Sequence, residues 1–199
     1  MRINLWAGVD AAYDLTGALV ASAAVVWSFE EVRVVECHVA LGATPAPYVP
    51  GRFAEREAAP TLAALRAVGV RPSVVICDAH GRAHPRRWGL ACEIARLTGW
   101  PTIGCAKSLL CGRHGPVGPA RGDWADIELD GEVVGRVVRT QTNVRPVYVS
   151  VGGNIELDAA VEVVLLASPR FRLPEPLRLA HQQARLALTK VLARPRVTA

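Results

Sequence analysis

This sequence predicts an α/β domain with a mixed central sheet, an antiparallel meander followed by parallel strands, flanked by helices. Three observations predict it. Residues 5–9, 18–27 and 32–39 are apolar or alternating segments separated by short polar turns at 13–17 and 28–31, the pattern of an antiparallel meander. Residues 72–77 form a continuous apolar run too short for a helix, as in a strand buried on both faces, and a second short run follows at 102–106 after a helical segment; strand, helix, strand is the order of a parallel unit. The third is composition: 199 residues, 51% hydrophobic and 21% charged, suit one globular core. With no repeat, low-complexity tract or linker, residues 1–199 are expected to fold as a single domain.

The remaining elements follow in order. Phe53, Leu62, Leu65 and Val68 recur at helical spacing, so residues 52–68 are expected to be helical, with Pro60 bending the helix or marking its true start. Glu57 then lies on or just before that helix. Residues 86–98 read as a helix closed by Gly99. A Gly/Pro/Arg-rich loop at 112–122 precedes a hairpin of 126–129 and 133–139 turning at Asp130-Gly131. A strand at 147–151 and a helix at 157–167 come next, and a basic amphipathic helix at 179–192 ends the pattern.

Lys and Arg together number 23 against 18 for Asp and Glu, a formal net charge of +5. That mildly favours a polyanionic partner, though a basic solvated surface explains it equally well. Nearly all of the positive charge is Arg, whose planar fork matches phosphate oxygens. The five cysteines are odd in number and form no CxxC pair, so they read as reduced core residues. No charged-then-apolar leader precedes Trp6 and no apolar run is long enough to cross a bilayer. These features lead to the expectation of a cytoplasmic protein with no membrane association, and of a monomer.

Three carboxylates carry the chemical signal. Asp10 follows the apolar run 5–9, Asp78 follows the run 72–77, and Glu57 lies in a third segment. Open α/β sheets bind ligands at the carboxyl ends of their strands, and an acid directly after a buried strand is costly unless paired. Taken singly, each acid could be a turn cap or a surface charge. Together they offer hard oxygen donors suited to Mg²⁺, with Mn²⁺ as a substitute, rather than to zinc. Such a metal could activate water and stabilise a leaving alkoxide. Lys107 follows the run 102–106 at the same sheet edge as Asp78. Its ammonium could neutralise a phosphate or orient water, or form a structural ion pair with one of the acids. His80 and His84 are four apart, but Gly81 and Pro85 break the helix a zinc pair would need. Pro45-Ala46-Pro47-Tyr48-Val49-Pro50-Gly51 is a stiff loop presenting one aromatic, either a packed loop or a wedge of the kind that supports a flipped base.

In order along the chain, Ala7-Gly8-Val9-Asp10, Pro47-Tyr48-Val49-Pro50-Gly51, Arg56-Glu57, Asp78-Ala79-His80-Gly81 with His84-Pro85-Arg86-Arg87, Pro101-Thr102-Ile103-Gly104-Cys105-Ala106-Lys107, Pro146-Val147-Tyr148-Val149-Ser150 and Arg172-Leu173-Pro174-Glu175-Pro176 resemble the motifs of endonuclease V. The similarity runs from about Trp6 to His181. It implies a ribonuclease H-like fold and a metal-dependent nuclease that hydrolyses the phosphodiester beyond a deaminated adenine, on its 3′ side, in DNA or RNA. Asp10, Glu57 and Asp78 would hold the metal and Lys107 would be the catalytic lysine. Tyr48, between Pro47 and Pro50, would be the wedge; Gly81 and Leu110 would line the base pocket; Arg56 would stand beside the metal near the phosphate. Three departures accompany the resemblance. Gly153 stands where the family is expected to carry a metal-site His or Asp, with Asn154 or Asp158 as candidate substitutes. Ala79 replaces a glycine expected beside the base pocket, and the helix that usually precedes the first strand is absent. Gly153 motivates an alternative, an inosine-binding protein with weak or lost catalysis.

Overall fold

The computed structural model describes residues 5–45 and 53–193. Thirteen elements follow in sequence: β1 (Leu5–Tyr13), β2 (Leu19–Ser28), β3 (Arg33–Ala43), α1 (Phe53–Arg66), β4 (Val74–Cys77), α2 (Leu90–Thr98), β5 (Thr102–Ala106), β6 (Arg113–His114), β7 (Trp124–Leu129), β8 (Glu132–Val138), β9 (Val147–Gly153), α3 (Leu157–Ala167) and α4 (Glu175–Leu192). The strands form one nine-stranded sheet in the order β3-β2-β1-β4-β5-β9-β8-β7-β6. β1 with β4 and β4 with β5 pair in parallel, and the other neighbours are antiparallel. The mixed sheet of a ribonuclease H-like fold is therefore present.

Several boundaries differ from the sequence pattern. β1 continues to Tyr13, because β2 pairs with it as far as Tyr13↔Val20, while its pairing with β4 stops at Val9↔Cys77. Asp10 is thus inside a strand, at the point where one of its two neighbours ends. α2 begins at Leu90 rather than near residue 86, because Arg87 adopts φ 54°, a left-handed conformation that a helix cannot contain. α1 runs through Pro60; Leu62, Ala64 and Leu65 are buried beyond it, and that packing outweighs the missing N–H bond. α4 starts at Glu175, with Pro176 in its first turn, where proline sacrifices no helical hydrogen bond. The Gly/Pro/Arg-rich loop contributes the short strand β6, paired to β7.

Side-chain alternation distributes the strands between two helical layers. Ala7, Val9, Val75 and Cys77 pack with Leu65 of α1 and with Leu90 and Ile94 of α2. Trp6, Val74, Ile76, Ile103 and Cys105 pack on the other face with Val161 and Val164 of α3 and Leu177 of α4. Beside them, Ala21, Ala23 and Val25 of β2 meet Ala180, Ala184 and Leu188 of α4. The small side chains let α4 approach closely, and Gly8 lets it touch: a Cβ there would lie 2.2 Å from the Pro176 carbonyl carbon and 2.3 Å from the Leu177 nitrogen. Among the described residues no helix is long and apolar enough to cross a membrane.

Candidate active site

The site is a consequence of strand period and strand direction. β1, β4 and β5 are adjacent and parallel, so their carboxyl ends share one sheet edge. Trp6, Val74, Ile76, Ile103 and Cys105 face the layer of α3 and α4. Counting on by two places Asp10, Asp78 and Lys107 toward that same side. The Asp78 N–H donates to the Val9 carbonyl at 3.1 Å, which extends the parallel register by one residue and brings Asp78 beside Asp10. The Lys107 ammonium donates to Oδ2 of Asp78 in a close ion pair.

Two further elements close the cluster. α4 brings His181, whose Nδ1 is 2.7 Å from Oδ2 of Asp10, while Oδ1 of Asp10 accepts the Ala11 N–H at 2.8 Å. From the opposite layer, α1 brings Glu57. The Tyr13 hydroxyl donates to its Oε1 at 2.8 Å. Tyr13 is itself covered by Arg56, whose guanidinium carbon sits 4.0 Å from the ring centroid and whose Nη2 donates to the Gly17 carbonyl at 3.4 Å. Arg56 therefore stands beside the acids, as expected, buried against the tyrosine that holds Glu57.

The acids repel one another in a poorly solvated place. The side chains of Asp10 and Asp78 are 8% and 11% exposed, and Glu57 is 4% exposed. Burial, then the charge of Asp78, raises the Asp10 carboxyl to about 6, against the opposing pull of Lys107 and His181. Burial raises Glu57 to about 8, with Asp10 and Asp78 adding to the rise and Tyr13 and Arg56 opposing it. For Lys107, burial acts downward, but Asp78 and then Asp10 outweigh it and the ammonium is held above its ordinary value. Burial is the larger cause of both rises and repulsion among the acids adds to it, so the ionised forms of Asp10 and Glu57 are costly without a compensating cation. A hard divalent cation is the chemical complement of such a set. In the arrangement seen, each acid is turned to a protein partner, and no group of three His, Cys, Asp or Glu side chains among the described residues forms a ready ligand array.

The other expected residues are placed as follows. Leu110 is exposed. Gly81 is buried, its N–H donates to Oγ of Ser150 at 2.8 Å, and a Cβ there would lie 2.2 Å from the Val151 carbonyl oxygen; close packing against β9 accounts for this glycine. The Ala79 methyl belongs to the apolar cluster under α1 and α2. Tyr48, Pro47 and Pro50 lie outside the described residues. The expectation that Gly153 occupies a metal-site position is corrected by strand direction. β9 runs antiparallel to β5, with Tyr148 opposite Ala106 and Gly153 opposite Thr102, so Gly153 is at the far end of β5 from Lys107. Asn154 follows it there, and Asp158 is bound by Arg136. The side chain that does reach Asp10 is His181, which the sequence pattern passed over. Its available signal was the Pro174-Glu175-Pro176 helix start, which fixes the phase of α4. Tyr13 was also missed, because it read as the first residue of a polar turn.

Comparisons with known proteins agree with this fold. The family model of endonuclease V matches residues 1–182. Endonuclease V of Nocardia farcinica is 49% identical over 182 residues, 92% of this chain and 80% of that protein. Among solved structures, endonuclease V of Streptomyces avermitilis is 42% identical with a TM-score of 0.91, covering 96% of this chain and 84% of its own. Endonuclease V of Ciona intestinalis, solved in complex with a 24mer DNA containing an inosine followed by a ribo-adenosine, is 26% identical with a TM-score of 0.82, over 96% and 88% of the two chains. A family model that spans most of the chain, a relative 49% identical and a solved structure with the same fold agree, and the chain belongs to the endonuclease V family of nucleases.

Proposed function

We propose that the protein is a divalent-metal-dependent endonuclease that hydrolyses a phosphodiester 3′ to a deaminated adenine in DNA or RNA, with Mg²⁺ as the metal and Mn²⁺ able to substitute. The observation that carries this is the gathering of Asp10, Asp78, Glu57 and Lys107 at one sheet edge, where burial and mutual repulsion make the ionised acids costly without a cation. The inosine-containing DNA bound by the Ciona intestinalis relative supports the substrate.

Asp10, Glu57 and Asp78 would hold the cation, which when bound supplies Lewis-acid stabilisation of the developing alkoxide and a more acidic water. Each of the chain's own groups has a task around it. Tyr13 orients Glu57 through its hydroxyl and disperses its charge. His181 fixes the Asp10 carboxylate in one rotamer by holding Oδ2 while the backbone of Ala11 holds Oδ1. Lys107, bonded to Asp78, places an ammonium where a scissile phosphate would enter and stabilises charge on it. Tyr48 with Pro47 and Pro50 would supply the wedge, Leu110 with the backbone near Gly81 would border the extruded base, and Arg56 would brace the site beside the phosphate.

The deciding experiment incubates the purified protein and its Asp78→Ala variant with an inosine oligonucleotide and an adenine control in Mg²⁺. Cleavage confined to the inosine strand and lost in the variant is expected. Cleavage of both strands alike, or equal cleavage by the variant, would overturn the proposal.

A further inference from the structure

We propose that Arg172 is a positioning residue for Lys107, acting as a side-chain rung that extends the sheet beyond β5; the inference rests on the role given to Lys107 above. The pairing of β5 with β9 ends at Ala106↔Tyr148. Lys107 is the next residue along one strand, and Pro146 immediately precedes β9 on the other. At this point the ladder gives way to a side chain: Nη2 of Arg172 donates to the Lys107 carbonyl at 2.7 Å and to the Pro146 carbonyl at 2.8 Å. One planar nitrogen thus ties together the two carbonyls that the ladder leaves behind.

The backbone of Arg172 is itself anchored. The Arg172 carbonyl accepts from Oγ1 of Thr140 at 2.7 Å, and Thr140 is fully buried. Nε of Arg172 is buried with no hydrogen-bond partner among the described residues, so the donors of the group are not arranged for the largest number of bonds. A buried donor left unbonded costs about 1–3 kcal/mol, which makes stability a poor explanation of the geometry. Arg172 and Lys107 also act together on the Cys105 thiol beneath them, both opposing the rise that burial produces. The consequence is specific to one backbone unit. With its carbonyl pinned, Lys107 presents its side chain from a fixed backbone toward Asp78. Arg172 also lies three positions before α4, so one residue is tied both to the lysine and to the start of the helix that delivers His181.

A double-mutant cycle tests this on the full chain, with single-turnover cleavage of an inosine duplex in Mg²⁺, affinity for the uncleaved duplex in Ca²⁺, and melting temperature measured for each protein. Lys107→Ala is expected to slow cleavage by about 10²-fold or more. Arg172→Ala is expected to slow it by about 10- to 10²-fold, the scale of a misplaced catalytic group, with duplex affinity within about 3-fold of wild type. Acting through Lys107, it should add nothing further in the Lys107→Ala background. Should Arg172→Ala fail to fold, Arg172→Lys repeats the cycle, keeping the charge but losing the planar fork. An Arg172 effect that multiplies in full with Lys107→Ala, or that falls on affinity or melting alone, overturns the inference and leaves the role of Lys107 standing. Wild-type cleavage by Lys107→Ala overturns that role first, and this inference with it.

Discussion

The two ends of β5 are opposites, although the strand is only five residues long. At its carboxyl end Lys107 meets Asp78, and buried acids from two other elements crowd the same edge. At its amino end Thr102 pairs with Gly153, where a Cβ on Gly153 would come within 2.8 Å of the Ala95 methyl and one on Gly152 within 2.6 Å of the Ala91 carbonyl oxygen. One end keeps unfavourable charge in a poorly solvated place, the other excludes even a methyl group. The difference teaches that buried charge and close packing are divided along a single strand, and that strand direction decides which residue falls in which region.

The largest expected effect sits at the charged end. Asp78→Ala should slow cleavage of an inosine strand by about 10²- to 10³-fold, the scale seen when a group stabilising a transition state is removed; an unimpaired variant would erase the distinction between the ends. Next comes pH. Glu57 and Asp10 titrate near 8 and 6 in the folded chain, above their ordinary 4.5 and 3.8, so the folded state holds their protons more tightly than the unfolded one. Their contribution to stability is complete below about pH 4 and is lost as pH climbs through 6 and 8. Chelator-treated protein should therefore melt lower at pH 8.5 than at pH 5, by about 5 °C or more. Mn²⁺ should restore the loss, and Glu57→Gln should flatten the profile; a wild-type melting temperature that rises with pH would contradict the electrostatic account.

Tyr13→Phe removes the hydroxyl that donates to Glu57, a bond that becomes charge-assisted, and contributes about 1.5–3 kcal/mol, when a bound cation keeps Glu57 ionised. Mn²⁺ affinity measured by calorimetry should fall by about 10-fold while the melting temperature changes little. An unchanged affinity would show that Tyr13 merely fills space. The smallest effect on chemistry belongs to the packed end. Gly153→Ala should destabilise the fold by about 1–3 kcal/mol through overpacking against Ala95 and leave the cleavage rate at 25 °C unchanged. Gly153→His should likewise fail to raise it; a gain in rate would place that end of β9 in the site after all.

Much of this was legible because strands and acids were written together. An apolar run followed at once by Asp78 or Lys107 identifies a strand and the charged group at its carboxyl end in one stretch of sequence, and the runs at 72–77 and 102–106 correspond to β4 and β5. What was not legible depended on partners. Asp10 read as the end of a strand because the apolar run 5–9 stops there, yet β2 carries β1 on to Tyr13. His181 lies 171 residues from the carboxylate it touches, and no local pattern joins them. Gly153 was placed by its glycine-flanked turn, which looks the same at either end of a sheet.

The sequence by itself determined the elements, the family and the acids, because alternation, apolar runs and ordered motifs are local properties of a chain. Only the tertiary structure decided that β9 runs against β5, that α4 lies on Gly8 and delivers His181, and that Arg172 continues the ladder past Lys107. The physical reason is that hydrogen-bonded pairing fixes direction and register between distant segments. A strand does not carry the direction of its neighbour in its own residues.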